Sequence, residues 1–156
     1  MAGKSRWVLG AALALSVTAG GALAQSAMAQ AVKDRQAHFK QQGAAFKAVL
    51  DELKKDAPDK AAVAANAAKL KGIAAQLPTW FPKGSGPEAG VKTAAKPEVW
   101  TDQPNFLAAA QRLQGETAKL DELAGAGDIG AVKAQARAVG LACKNCHDRY
   151  RVPENS

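Results

Sequence analysis

Cysteine is nearly absent from this 156-residue chain: there are two, Cys143 and Cys146, three positions apart near the C-terminus. Neither has another mate, so a disulfide staple across the fold is impossible and stability has to come from a packed interior. Histidine is equally scarce, with only His38 and His147, and a zinc site would lack its fourth donor. Aromatic residues make up 5% of the chain, and strand-like alternation of useful length is missing, which leaves packed helices as the basis of the fold. No uninterrupted apolar stretch reaches the roughly 20 residues that a membrane span needs. Lys and Arg are spread along the chain without a run of five, so the net charge of +7 predicts a solvated face suited to an acidic partner and no nucleic-acid patch.

What is present at the N-terminus has the order of a secretory signal peptide. Lys4 and Arg6 precede an apolar run from Trp7 to about Val17, and small residues close the segment at Ala22-Leu23-Ala24. Cleavage is expected after Ala24, with Ala27-Met28-Ala29 as the competing site. Removal takes two positive charges from the total and leaves roughly 130 residues, enough for one domain with one core. The domain is therefore expected over 25–156, exported to the periplasm and without stable membrane insertion.

Four segments of the mature chain repeat large apolar residues every seven positions, as helices packed along their length do. The first runs from about Ala31 to Asp56, with Val32, Phe39, Phe46 and Leu53 in register, Leu50 on the same face and Pro58 closing it. The second spans about Asp59 to Gln76, with Val63, Leu70 and Leu77 in register and Asp59 as N-cap. The third, about Pro104 to Leu123, repeats Phe106, Leu113 and Leu120 behind a proline suited to a first helical turn. The fourth opens at Asp128, after the tight Gly125-Ala126-Gly127 join, and carries Val132, Val139 and Cys146. Pro78 to Gln103 is proline-rich, yet Trp80, Phe81, Val91 and Trp100 anchor it, predicting an ordered loop over one side of the bundle. The fold class is all-α, an antiparallel four-helix bundle whose Ala-rich interior leaves room for a buried group.

Cys143-Lys144-Asn145-Cys146-His147 has the spacing of covalent c-type haem attachment. On a helix, positions i, i+3 and i+4 share a face, so both thiols can meet one porphyrin while the imidazole reaches its iron. A thioredoxin-like Cys-x-x-Cys would follow a strand and open a helix, whereas this one ends a helix in a chain without strands. The prediction is one covalent haem c on the last helix, with Cys143 and Cys146 as attachment points and His147 as metal ligand.

With these residues in view, the sequence resembles the class II c-type cytochromes, the cytochrome c prime family. The likeness includes Arg35-Gln36-Ala37-His38-Phe39, the loop Trp80-Phe81-Pro82-Lys83-Gly84-Ser85-Gly86, Pro97-Glu98-Val99-Trp100 and the haem motif through Asp148, and it extends over the whole mature chain. The resemblance implies that Arg35 approaches a haem propionate, and that Arg151 stands on the proximal side of the haem; a helix-end Arg is also a dipole partner. It also implies that Phe39 stands where electron-transfer members carry an iron-binding Met. Phenylalanine has no lone pair, so the iron is expected five-coordinate and mostly high-spin, with its sixth position open. His38 lies about 100° away around the helix and is expected at a helix boundary or in solvent. Trp80 and Trp100 are expected to pack on the haem or to pin the loop.

The functional expectation is periplasmic electron transfer with a redox partner protein, without enzymatic turnover. Reversible binding or scavenging of a small gas such as nitric oxide is the alternative, with Phe39 as steric gate. Dimerisation is common in the resembling family, and the first two helices would form such a homodimer's interface.

Overall fold

A computed structural model describes residues 18–153. Its elements are α1 (Thr18–Leu53), α2 (Lys60–Ala75), a 3-10 turn over Leu77–Trp80, a second over Pro87–Ala89, the single-turn helix α3 (Glu98–Thr101), α4 (Gln103–Gly125) and α5 (Ile129–Tyr150). Helices α1, α2, α4 and α5 form the expected bundle. α1 packs along α2, α2 along α4 and α4 along α5, whereas α1 and α5 approach each other at few positions. Among the described residues the only β-type pairing is an isolated bridge between Ala95 and Arg151. No helix among them is long and apolar enough to cross a membrane.

The core follows the seven-residue rule, with additions from its companion positions. Val32 and Leu53 of α1 are buried, as are Val63 and Leu70 of α2, Phe106, Leu113 and Leu120 of α4, and Val132 and Val139 of α5. Ala45, Ala67, Ala110, Ala136 and Ala142 fill inward positions between them and let the helix axes draw close. Burying a leucine such as Leu120 contributes about 1.5–3 kcal/mol, whereas the exposed Lys71–Asp121 ion pair between α2 and α4 adds at most about 1 kcal/mol.

Helix ends are set by local chemistry. Asp59 caps α2 by accepting from the Ala61 and Ala62 amides, and Asp128 caps α5 by accepting from Ala131. Between α4 and α5, Gly127 sits in the left-handed region at φ 74°, where a side chain would be strained. Two boundaries differ from expectation. α1 stops at Leu53, where the Lys54 and Lys55 amides tighten onto the carbonyls of Asp51 and Glu52, five residues before Pro58. Within the described residues it also runs back to Thr18 instead of beginning at about Ala31, through a stretch in which alanines are good helix formers. Residues 1–17 of the predicted signal peptide lie outside the described residues. Both cleavage positions fall within the first turns of α1, where residues 23–27 are exposed and burial begins only at Val32.

The long connection is ordered, as its apolar anchors predict. Trp100 Nε1 donates to the carbonyls of Phe81 and Pro82, at 3.2 and 3.1 Å, and ties the loop to α3. Lys96 N donates to Tyr150 O at 2.9 Å and Val152 N to Ala94 O at 2.8 Å, so the loop also holds the chain leaving α5.

Leu120→Ala is expected to lower unfolding free energy by about 2–5 kcal/mol, read from chemical denaturation. Leu141→Ala, at a position 58% exposed, should change it by about 0.5 kcal/mol or less. Equal effects would mean that Leu120 does not belong to the core.

Candidate haem site

Cys143, Cys146 and His147 lie together in the last two turns of α5, the cysteines half-buried and the histidine exposed. Both cysteines are free thiols. Burial pushes the Cys143 thiol up, and burial followed by the neighbouring Cys143 pushes Cys146 up to about 11. A redox-active pair needs a depressed thiol, so the thioredoxin reading fails on environment as well as on position. Among the described residues no three His, Cys, Asp or Glu side chains are grouped so as to hold a metal ion.

Across the seam from this motif stands α1. Phe39 and His147 meet edge to face, with ring centroids 6.4 Å apart and planes at 70°. One helical repeat further along, a Cβ placed on Gly140 would touch the tip of the Phe46 ring at 3.9 Å. The antiparallel register thus pairs Phe39 with His147 and Phe46 with Gly140. Phe39, Phe46 and Leu50 are only half-buried, although their register predicted core positions for Phe46 and its row. The reason is the loose α1–α5 contact, which leaves this apolar stripe without a full complement of neighbours. Beyond Phe46 the seam widens into an apolar groove of about 350 Å³ that includes Leu50, Leu53 and Ala136.

The loop closes the end of the seam with rings. Phe39 meets Trp80 at 5.1 Å and Phe81 at 6.1 Å; Phe81 meets Phe106 at 4.9 Å, and Phe106 meets Tyr150 at 5.3 Å. His38 stacks on Trp80 at 4.8 Å with an interplanar angle of 18°. It is half-buried at the edge of α1, as its rotation from Phe39 predicts. Trp100 pins the loop, while Trp80 packs beside Phe39.

Arg35 is the most unusual member of the site. It is 3% exposed, donates to Ser85 Oγ at 2.8 Å and Thr93 Oγ1 at 2.7 Å, and lies 4.9 Å from the Phe81 ring centroid. Among the described residues no carboxylate comes within ion-pair distance of it. Burial pulls its pKa down, and only the more distant Glu88 opposes that. A buried guanidinium held by neutral oxygens and rings suits an incoming carboxylate. Arg151 follows α5 in extended conformation, half-buried, its amide donating to His147 O at 2.9 Å.

The fit to a haem rests on these features together. Two thiols and an imidazole share one helix face; a buried cation without a bound anion stands at one end; an under-packed apolar stripe lies opposite. Two buried polar atoms, Gln42 Oε1 and Trp80 Nε1, have no hydrogen-bond partner. Gln42 was not singled out by the sequence reading. Its signal was present, since it sits seven residues after Arg35 on the stripe that alternates with Val32, Phe39 and Phe46.

Fold and site define a c-type haem protein built on a four-helix bundle. The cytochrome c prime family matches residues 30–151. Cytochrome c prime of Alcaligenes xylosoxydans xylosoxydans is 38% identical over 122 residues, covering 78% of this chain and 92% of that protein. Among solved structures, cytochrome c prime from Thermochromatium tepidum superposes with a TM-score of 0.75 at 26% identity, covering 81% of this chain and 97% of that one. A nitric oxide complex of a single-residue variant of cytochrome c prime from Alcaligenes xylosoxidans gives 0.74 at 33% identity, with the same coverage. The chain belongs to the cytochrome c prime family, whose cofactor is a covalently bound haem c.

The end of α5 that carries the motif is fastened to α4 through Asp102, which accepts from Arg149 Nη2 at 2.6 Å and from Tyr150 Oη at 3.2 Å. Hydrogen bonds from Asn105 first, then Tyr150 and Arg149, hold the Asp102 carboxyl below the usual carboxylate range. The folded protein therefore binds this proton less readily than the unfolded chain, and the resulting stabilisation is present above about pH 4 and lost as pH falls through the depressed value. Thermal midpoints measured between about pH 5 and pH 3 should fall, and Asp102→Asn should fall less steeply. Identical slopes would remove Asp102 as a contributor.

Proposed function

We propose that this chain is an exported, periplasmic monohaem electron carrier whose iron takes His147 as its one protein axial ligand and keeps the opposite position open to a small gas. The observation that carries the reading is the placement of Phe39 facing His147, a side chain with no lone pair where a sixth ligand would have to come from. The haem supplies one-electron chemistry and an axial position for diatomic ligands when bound.

The chain's own residues do the rest. Cys143 and Cys146 would hold the haem covalently through their two thiols. His147 would supply an imidazole nitrogen to the iron. Arg35 would pair with a propionate carboxylate of the group, and Arg151, one turn past His147, would add a second cation near the motif. Phe39, with Trp80 and Phe81 beside it, would keep water out and narrow access to the face opposite His147.

Gas binding or scavenging is the second reading, supported by the relative solved as a nitric oxide complex and by the Phe39 placement. Another relative, 28% identical with a TM-score of 0.74, is a cytochrome c prime with ligand-controlled dimer dissociation. By extension, two copies of this chain pair through the outer faces of α1 and α2. An enzymatic role finds no support in the distal residues, because His38 is committed to Trp80. After signal removal the protein stands free of the membrane, and its surplus of cations favours an acidic redox partner.

The ferrous protein should bind nitric oxide or carbon monoxide, and Phe39→Ala should raise the association rate roughly tenfold or more, equivalent to about 1.4 kcal/mol of barrier. Unchanged stopped-flow rates would show that Phe39 is not the obstruction. Replacing Cys143 and Cys146 together by Ala should give haem that extracts into acidic organic solvent. Haem that stays with the polypeptide would refute the attachment assignment.

A further inference from the structure

Gln42 is 7% exposed, and its Oε1 is buried without any hydrogen-bond partner. A leucine or methionine at this inward position of α1 would pack as well and avoid burying an unpartnered amide. We infer that the Gln42 amide is a specificity-determining group of the distal pocket, donating a hydrogen bond from Nε2 to a diatomic ligand in the open axial position.

Register and helix geometry place the amide there. Phe39 stands level with His147, and Phe46 level with Gly140, so Gln42 lies level with Cys143 and Lys144. Side chains on a helix lean toward its N-terminus and cover the turn before their own Cα. A long side chain at Gln42 therefore reaches back toward the level of Phe39 and His147, where the iron would be held. Arg35 and Gln42 are seven residues apart on one stripe of α1, so the guanidinium serves the propionate end while the amide serves the iron end. The amide's oxygen and nitrogen ends are interchangeable by a half-turn, and that turn puts a donor where the unpartnered atom now sits. Phe39 then controls entry, and Gln42 controls which ligand is held: one that accumulates negative charge on its outer atom gains from the donor, and one that does not gains little.

This inference rests on the open axial position proposed above, and the test separates the two. The probe is carbon monoxide on the ferrous holoprotein, read by the infrared C–O stretch. In the native protein a donor to the bound ligand lowers that frequency, and transfer to heavy water should shift the band. Gln42→Leu should raise the frequency, abolish the solvent-isotope shift and speed carbon monoxide dissociation roughly three- to tenfold, the equivalent of one ordinary hydrogen bond. Gln42→Ala, which removes the amide and offers the iron no donor atom, gives the same readout if the leucine variant does not take up haem. A band insensitive both to heavy water and to the substitution overturns the assignment and leaves the open position intact. Failure of the native protein to form any carbon monoxide complex overturns both.

Discussion

Arg35 carries a positive charge into the interior where α1 meets the long loop, and the haem end of the bundle is arranged around holding it. Its guanidinium joins α1 to Ser85 and Thr93, two loop positions far away in sequence, and lies against Phe81. Neutral oxygens and ring faces compensate only part of the cost of taking that charge out of water. The remaining deficit is for an anion, the part proposed above for a haem propionate. The same residue that orders the loop thus prepares it for the cofactor.

The second constraint is the loose contact between α1 and α5. Three of the four neighbouring helix pairs pack along their length, and the fourth pair is left under-packed, with Phe39, Phe46 and Leu50 half-buried along the seam. Amino-acid packing thereby leaves one side of the bundle to be completed by the cofactor. Antiparallel register then sets Phe39 level with His147 and Gln42 level with Cys143 and Lys144, with Arg35 one helical repeat before Gln42 at the loop end. Asp102 fixes the end of α5 by accepting from Arg149 and Tyr150, and so keeps the motif in that register.

Much of this was legible in the sequence because it depends on spacing. The apolar seven-residue repeat identified the four long helices, Asp59 and Asp128 marked two of their starts, and Cys143, Cys146 and His147 defined one helix face. Less legible were features that arise between segments. The repeat predicted Phe46 as core, but whether a neighbour covers it depends on how closely α1 approaches α5. The stack of His38 on Trp80 and the bridge between Ala95 and Arg151 depend on the path of the loop, which no periodicity encodes. Gln42 escaped notice because a polar residue breaks the apolar pattern that reveals inward positions, although its place after Arg35 on the same stripe was readable. α1 also continues N-terminal of Ala31 through both expected cleavage positions, because the alanines there favour helix whatever happens to the segment later.

The central claim is that Phe39 leaves the iron with one protein axial ligand. The direct measurement is the electronic and paramagnetic resonance spectrum of the ferric protein at neutral pH. A high-spin, five-coordinate signature is the predicted result. A low-spin, six-coordinate spectrum at neutral pH would contradict the account, because it would require a second protein ligand where the structure places a phenyl ring.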